Sequence, residues 1–434
     1  MKRHATHLAA ALLAASALTL ASCHDGEGTA DGVENTRRTV LVYMAAHNSL
    51  GARGTKKLSA AEADSAEIMA GRKNIPDGCT LLLFIDDDRP PRLYRVTAKT
   101  DAPKLVRQWD GEVCSTSPAT LRDALRLAAE KAPAEEYGLV LWSHATGWLP
   151  ATYTGYPADS TQQTAAPLFF GVDTGEGNAM ETNDGSQMEV ADIASAVSAA
   201  GMHCRYIFFD ACLMQNIEVA YALRHVADYV VGAPVSTPAA GAYYTHQTGR
   251  GLFSSDPADI ARTYLSDVKD PLLVSHYSDF GVAVSCLRTD KLPALAAALR
   301  EALPASALAG KSSPDMDGVL CYQNYTAKYY YRPHNHDMWQ ALGRLLTGDA
   351  LGSVRDALDE AVAYSGATER FWTGPAADDF QSVDVATGNY RGVSMFVPQA
   401  VYTANASQCP YGDLNTRFRA TEWYTDAGFA ATGW

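Results

Sequence analysis

Short hydrophobic segments that alternate with helical segments constrain the fold of this chain more than any other feature. The hydrophobic segments are typical of strands buried on both faces, and they cover residues 40–44, 80–85, 138–142, 205–209 and 229–231. The helical pattern covers residues 60–70, 118–131, 188–200 and 215–225. Strands and helices that alternate at this spacing predict an α/β fold, with a mostly parallel sheet and helices on both faces.

The last third of the chain has a less regular pattern. It predicts strands at residues 280–287 and 393–397, and helices at residues 293–303 and 338–346. We therefore expect a core at residues 39–290 and a C-terminal α/β extension, residues 291–434, that packs on it. Neither a GxGxxG nor a GxxxxGK[ST] loop occurs, so a nucleotide cofactor is not indicated.

The N-terminus has the features of a secretory signal. A short basic start precedes an uncharged segment, residues 8–20, that is too short to span a bilayer. The segment ends in Leu-Ala-Ser-Cys, which resembles a bacterial lipobox. Residues 1–22 are then a signal peptide, Cys23 carries the lipid, and residues 23–38 form a polar tether. The alternative is an ordinary cleaved signal followed by a chance cysteine.

These features predict a protein of the bacterial cell envelope, on the periplasmic side or at the cell surface. No second span of about eighteen apolar residues occurs, so the lipid anchor is the only membrane contact that we expect. The chain has 35 Lys and Arg against 49 Asp and Glu, a net charge of −14. This charge argues against a nucleic-acid partner and against adhesion to anionic lipid. We expect a monomer.

Cysteine number and spacing exclude one class of metal site. The chain has eight cysteines. Once Cys23 is assigned to lipid, an odd number remains, so at least one thiol stays free whatever the pairing. No CxxC occurs, which makes a zinc ribbon improbable.

Two chemically competent side chains follow predicted strands. His144 lies just after the strand that ends at Trp142, and Cys212 lies just after the strand that ends at Phe209. Ligands bind beyond the carboxyl ends of parallel strands, so the two side chains meet if their strands are neighbours. An imidazole accepts the proton of a nucleophilic thiol or lowers its pKa. Taken singly, each residue also fits a structural role, the cysteine in packing and the histidine as a satisfied polar group.

Three segments resemble the clostripain family of cysteine peptidases, which belongs to the caspase-like clan with gingipains, legumains and separases. They are residues 40–50 (VLVYMAAHNSL), 139–148 (LVLWSHATGW) and 208–221 (FFDACLMQNIEVAY). The similarity is strongest over residues 39–244. It implies a caspase-like fold, a peptide or protein substrate, and no requirement for a cofactor or a catalytic metal.

The resemblance also implies roles for individual residues. Cys212 corresponds to the nucleophile and His144 to the general base and acid. The backbone N–H groups of Cys212 and Ala145 correspond to the oxyanion hole. Asp210 corresponds to an acid near the nucleophile that shapes the S1 pocket, which usually accepts Arg or Lys at P1.

The sequence departs from the family pattern at three places. Ala145 stands where a glycine is usual, and it is strained only if that position requires a positive φ. His47 stands where an acid is common, as a strand-end cap or as a second polar group at the mouth of the site. The loop 234–244 contains no carboxylate, so a basic P1 side chain loses one of two expected counter-charges.

A further departure concerns activation. Many relatives are cut after Lys or Arg between the histidine and the cysteine, whereas residues 149–204 contain neither. Together with the loop that lacks an acid, this predicts a single-chain enzyme with only a weak preference for Arg or Lys at P1.

Two acidic or histidine-containing segments are candidate metal sites. Asp86, Asp87 and Asp88 end a predicted strand and provide carboxylate oxygens of the kind that Ca²⁺ prefers, although we favour a solvated strand end over a calcium site. The segment 334–337 (HNHD) precedes a helical pattern, so we interpret its Asn or Asp as a helix N-cap.

The sequence therefore predicts a lipid-anchored cysteine endopeptidase that acts through a Cys-His dyad and an acyl-enzyme. The alternative is a catalytically weakened lipid-anchored binding protein on the same scaffold, since fold similarity does not establish chemistry. A purely structural surface protein is a third possibility, in which Cys212 is buried and inert.

Overall fold

The central sheet has nine strands, and its inner strands carry the side chains predicted for the site. The computed structural model describes residues 36–111, 113–149, 169–273, 277, 280–323, 334–373, 380–409 and 411–434. The strands are β1 (Thr36–Ala45), β2 (Cys79–Asp86), β3 (Arg92–Val96), β4 (Lys104–Gln108), β5 (Ala134–Trp142), β6 (Ala145–Gly147), β7 (Phe169–Asp173), β8 (Ser186–Glu189), β9 (Cys204–Asp210), β10 (Tyr229–Gly232), β11 (Ala283–Arg288), β12 (His336–Asp337), β13 (Val362–Ala367), β14 (Arg370–Trp372), β15 (Phe380–Ser382) and β16 (Ser394–Met395).

Helices cover both faces of this sheet and the C-terminal part of the chain. They are α1 (Ala60–Gly71), α2 (Pro118–Lys131), α3 (Val190–Ala199), α4 (Ile217–Ala222), α5 (Tyr244–Arg250), α6 (Ala258–Val268), α7 (Leu292–Ala302), α8 (Met338–Leu345), α9 (Gly348–Ala361), α10 (Ala400–Ala404), α11 (Leu414–Arg419) and α12 (Glu422–Asp426). At the start of α1, Ser59 accepts a hydrogen bond from the N–H of Glu62, whose carboxylate accepts one from the N–H of Ser59. This capping box explains why the helix begins there.

The strand order is β13-β11-β10-β9-β5-β1-β2-β3-β4. The five strands from β10 to β2 in this order run parallel, and the two strands at each edge pair antiparallel to their neighbours. Apolar residues fill both faces of the parallel strands, as expected for strands covered on both sides. The prediction of an α/β fold with a mostly parallel sheet is confirmed.

Alternate residues of the parallel strands enter two separate cores. Leu41 and Tyr43 pack on the face covered by α2 and α3, with Leu121 among their neighbours. Val40 and Val42 pack on the opposite face, which α1, α5 and α6 cover. This arrangement follows from the two-residue side-chain period of a strand, and it confirms the prediction of helices on both faces.

The C-terminal segment joins the sheet and supports the loop that carries Cys212. β13 pairs with β11 at the sheet edge, so the sheet draws a strand from beyond residue 290. The N–H of Ser394 donates to the carbonyl of Gln215 at 2.9 Å. The N–H of Phe396 donates to the buried carboxyl of Glu218 at 2.9 Å. Burial raises the pKa of Glu218 to about 7.

Short antiparallel strands account for the differences from the sequence prediction. The β3–β4 hairpin extends one edge of the sheet, and β6, β7 and β8 form a small sheet of their own. β7 lies between residues 142 and 188, where the sequence pattern predicts neither a strand nor a helix. β6 and β4 escape prediction because one has three residues and the other is mostly exposed, so neither shows an alternating pattern.

The N-terminal predictions fall largely outside the described residues. The signal peptide, Cys23 and most of the tether belong to residues 1–35, and β1 begins at Thr36, before the predicted end of the tether. Arg38 is buried there and pairs with Glu136 at 2.6 Å. No helix in the described part of the chain is long and apolar enough to cross a membrane. The seven cysteines in that part are all free.

Candidate active site

His144 and Cys212 lie at the carboxyl end of two neighbouring parallel strands. In the pairing of β5 with β9, Trp142 lies opposite Asp210. His144 and Cys212 each follow two residues later in the sequence. Both side chains line one cavity of about 110 Å³, together with Asp210 and Thr237. The structure therefore brings together the thiol and the imidazole that the sequence analysis singled out.

Two side chains from distant parts of the chain hold the His144 ring. The hydroxyl Oγ of Ser49, in the loop after β1, lies 2.9 Å from Nε2 of His144. Asn183 also hydrogen-bonds to the ring, and its Oδ1 accepts from the N–H of Ser49 at 2.9 Å. Burial lowers the pKa of His144 to about 4, against the smaller opposite effect of Asn183. The imidazole is therefore neutral at neutral pH.

The Cys212 thiol is protonated in the same pH range. Burial raises its pKa, and hydrogen bonds from Thr237 partly offset this effect. The N–H of Thr237 donates to Sγ of Cys212 at 3.3 Å. Thr237 follows β10, so the loop that lacks a carboxylate still contributes a backbone donor to the sulfur. The thiol and the imidazole thus form a neutral pair in the resting site.

The residue after Cys212 has a strained backbone. Leu213 adopts φ of 64°, in the left-handed region that costs a residue with a side chain about 1–2 kcal/mol. Its N–H donates to the carbonyl of Val235 at 3.0 Å, which ties the turn to the loop after β10. Sequence reasoning missed Leu213, because a leucine gives no sign of a left-handed position.

The loop after His144 packs directly on the loop after Cys212. Gly147 has φ of 73°, and a Cβ there would clash with the carbonyl of Leu213 and with Oδ1 of Asn216. Ala145 is buried, and its φ is not positive. Alanine at the position where the family has glycine therefore introduces no left-handed strain.

Asp210 is a buried carboxylate at the base of the same cavity. It accepts hydrogen bonds from the N–H of Ala242 at 3.1 Å and from the hydroxyl of Tyr244 at 2.9 Å. Burial raises the pKa of Asp210 to about 6, and these hydrogen bonds lower it in part. A second buried acid, Asp64 of α1, accepts from Nε1 of Trp142 at 2.7 Å. Burial and the nearby Asp210 raise the pKa of Asp64 well above its ordinary value.

His47 does not enter the cavity of Cys212. Its Nδ1 lies 3.0 Å from the hydroxyl of Thr174 and 3.6 Å from the carboxylate of Asp173. It lines a separate cavity of about 180 Å³ with Asp86, Asp87 and Asp173.

The residues proposed for calcium do not form a matching set of ligands. Both oxygens of Asp87 accept hydrogen bonds from Arg92, and Arg89 also pairs with this carboxylate. Among the described residues no group of three or more His, Cys, Asp or Glu is arranged to hold a metal ion. Asp337 accepts from the N–H of Gln340 at 3.1 Å and caps α8, which agrees with the N-cap interpretation.

Solved structures similar to this chain are cysteine proteases. One is a secreted C11 cysteine protease from Bacteroides thetaiotaomicron in complex with an irreversible peptide inhibitor, with 27% identity, a TM-score of 0.69, and coverage of 91% of this chain and 99% of that one. Another is an inactive zymogen C11 protease from Parabacteroides distasonis, with 26% identity, a TM-score of 0.68, and the same coverage. A comparison with curated protein sequences gave no match.

The family model agrees with these structures. The model of the clostripain family matches residues 42–345, which include both strands of the site, the loops after them and much of the C-terminal segment. The match covers more than half of the chain. The chain belongs to the clostripain family and is a cysteine peptidase.

Proposed function

We propose that the protein is an endopeptidase in which Cys212 is the nucleophile and His144 is the general base and acid. The observation that carries this proposal is that both side chains line one cavity at the ends of adjacent strands. The buried, hydrogen-bonded imidazole supports it further, because a base with a fixed ring orientation is ready to accept a proton.

The protonation states indicate how the reaction begins. Because thiol and imidazole are both neutral, Cys212 loses its proton to His144 as the sulfur attacks the carbonyl carbon of the substrate. The N–H groups of Cys212 and Ala145 then stabilise the oxyanion, and such donors are worth about 2.7–4 kcal/mol each. His144 next protonates the leaving amine, and water hydrolyses the acyl-enzyme.

We infer that the S1 pocket has only a weak preference for Arg or Lys. Asp210 is the acid expected to contact a basic P1 side chain, but its two oxygens already accept hydrogen bonds from Ala242 and Tyr244. Its raised pKa further reduces its negative charge near neutral pH. The loop 234–244 provides no second acid.

We also propose that the enzyme acts as a single chain outside the cytoplasm, anchored through Cys23. Residues 145–204 contain no Lys or Arg, so the basic cleavage site used by relatives is absent from this segment between His144 and Cys212. One of the similar proteases is secreted. The signal-like N-terminus provides independent support.

The decisive test of the endopeptidase proposal is covalent labelling by a peptidyl acyloxymethyl ketone. We expect stoichiometric labelling and peptide hydrolysis by the wild-type protein, and loss of both in Cys212→Ala. The control is Cys286→Ala, because this cysteine is buried in β11, away from the cavity. A folded wild-type protein that neither labels nor cleaves would instead be the weakened binding protein.

A peptide library tests the specificity proposal. We expect Arg and Lys at P1 to be cleaved only a few times faster than small or apolar residues. Turnover of basic reporters far above all others would contradict the weak preference.

A further inference from the structure

A second cavity lies at the same edge of the sheet as the active site, on the opposite side of β5 from Cys212. Its volume is about 180 Å³, and its ionisable lining is mainly acidic. We call it the acidic cavity, and its charged lining residues are Asp86, Asp87, Asp88, Asp173, Glu176 and Arg89. Arg89 pairs with Asp87 and Asp88, and Arg92 also pairs with Asp87, so these cations compensate that part of the set rather than Asp86 or Asp173.

Two buried carboxyl groups face each other in the acidic cavity, and among the described residues only Asp173 has an ion-pair partner, His47 at 3.6 Å. Asp86 and Asp173 are each only 4% exposed, and they hydrogen-bond to one another. Asp173 also accepts from the N–H and the hydroxyl of Ser115. The Oδ2 atom of Asp86 is buried and has no hydrogen-bond donor among the described residues. Burial and the nearby Asp173 raise the pKa of Asp86 well above its ordinary value, so the two carboxyl groups share a proton. A cationic ligand would replace that proton and provide a donor to the buried oxygen of Asp86.

The strand order places this cavity on the leaving-group side of the proposed reaction. The strands β9, β5, β1 and β2 are neighbours in this order. Cys212 follows β9, His144 follows β5, His47 follows β1, and Asp86 is the last residue of β2. His144 protonates the leaving amine, so the residues after the scissile bond lie on the His144 side of Cys212. Three inter-strand steps span about 14 Å, which about four extended residues cover.

We propose that the acidic cavity is a subsite for the ammonium or guanidinium group of a Lys or Arg in the second to fourth residue after the scissile bond. This subsite rests on the proposed endopeptidase function. Pro90, Pro91 and Val113 also line the cavity and provide apolar surface for the aliphatic stem of such a side chain. The charged end then reaches Asp86 and Asp173.

The kinetic experiment uses internally quenched peptides that share every residue except one. The third residue after the scissile bond is Lys, Ala or Glu. A charge-assisted hydrogen bond contributes about 1.5–3 kcal/mol, so we expect kcat/KM for the Lys peptide to exceed that for the Ala peptide about tenfold or more. The Glu peptide should be the poorest of the three.

Substitution of Asp86 assigns the preference to the cavity. In Asp86→Asn, the ratio of kcat/KM for the Lys and Ala peptides should fall towards one. The ratio is measured within one protein, so a smaller folded fraction does not change it. The matched control is Asp77→Asn, an exposed acid just before the opposite end of the same strand, β2, which should keep the ratio. Equal ratios in all three proteins would overturn the proposal.

A binding measurement separates this proposal from the endopeptidase proposal. Calorimetry with the catalytically disabled Cys212→Ala protein and the intact peptides should give tighter binding of the Lys peptide than of the Ala peptide. This measurement needs no cleavage and no change in the cavity. Equal binding of the Lys and Ala peptides would overturn the subsite. Selective binding of the Lys peptide, together with no cleavage by the wild-type protein, would overturn only the endopeptidase proposal.

A metal ion is the competing occupant. Calcium chloride should leave the Lys to Ala ratio of the wild-type protein unchanged at constant ionic strength. Loss of the ratio in calcium but not in sodium would assign the acidic cavity to a metal and overturn the proposal.

Discussion

At the scale of single residues, the site depends on groups that orient one imidazole. Ser49 and Asn183 both hydrogen-bond to His144, and they come from different loops. Neither belongs to a motif, since a serine after a strand and an asparagine in a polar segment are ordinary in any sequence. Their function is visible only once the loops are placed together.

Removal of the Ser49 hydroxyl should slow catalysis without weakening substrate binding. We expect Ser49→Ala to lower kcat about fivefold, because a hydrogen bond of about 1 kcal/mol no longer orients the ring, while KM stays close to that of the wild type. Ser49→Thr, which keeps the hydroxyl, should recover most of the loss. The control is Ser195→Ala on the exposed face of α3, where the hydroxyl bonds only to its own helix. An increase in KM alone would argue that Ser49 binds substrate instead.

The burial of His144 predicts an unusually acidic titration. Its pKa of about 4 lies below the ordinary value of 6.5, so the ring should remain neutral as the pH falls through 6. NMR of ¹³C-labelled histidine should show one resonance that is absent in His144→Gln and that titrates near pH 4. The unfolded chain binds this proton near pH 6.5 and the folded state only near pH 4, so stability should fall as the pH drops from about 6.5 to about 4. A midpoint above pH 6 would contradict the neutral resting pair.

At the scale of elements, two loops form the site by packing on each other. The loop after β5 contacts the turn after β9 at Gly147, where a side chain has no room. The C-terminal segment supports the helix that follows this turn, through Glu218 and Phe396. The position of Cys212 therefore depends on three segments that are distant in sequence.

Substitution of Gly147 should separate crowding from backbone strain. Gly147→Ala combines a positive φ with a clash against Leu213 and Asn216, so we expect a loss of about 2–4 kcal/mol in the free energy of unfolding and slower labelling of Cys212. Gly78→Ala is the matched control, because Gly78 has φ of 71° and no atom within 4 Å of an added Cβ. It should cost about 1 kcal/mol and leave labelling unchanged. Urea unfolding and the labelling rate measure the two effects, and equal losses in both variants would refute the packing argument.

At the scale of the whole molecule, the C-terminal segment completes the central sheet. β13 pairs with β11, and Leu295 of α7 and Leu358 of α9 lie in the same apolar core as Leu287 of β11. The predicted boundary at residue 290 cuts between β11 and these elements.

A fragment that ends at residue 290 should therefore not fold by itself. It would expose the edge of β11 and the core beside it, which favours aggregation. We expect residues 36–290 to be insoluble or to unfold without cooperativity by circular dichroism, whereas residues 36–434 should unfold in a cooperative transition. Cooperative unfolding of the shorter fragment would support an independent core domain.

The parallel strands could be predicted from the sequence, whereas the small strands and the contacts of the site could not. The run at residues 81–85 is apolar throughout because β2 is buried on both faces, and that burial leaves a pattern. The exposed β4 leaves none. Ser49 meets His144 across 95 residues of chain, so no local pattern encodes the contact. The positions of His144 and Cys212 could be predicted because both residues follow strands that the sequence pattern identifies.

The neutral resting pair has a consequence for the oxidation of Cys212. Peroxides and small electrophiles react with thiolates far faster than with thiols, and the Cys212 sulfur stays protonated inside its cavity. The other described cysteines are largely buried as well. We therefore expect Cys212, the proposed nucleophile, to resist oxidation until a substrate carbonyl binds beside it.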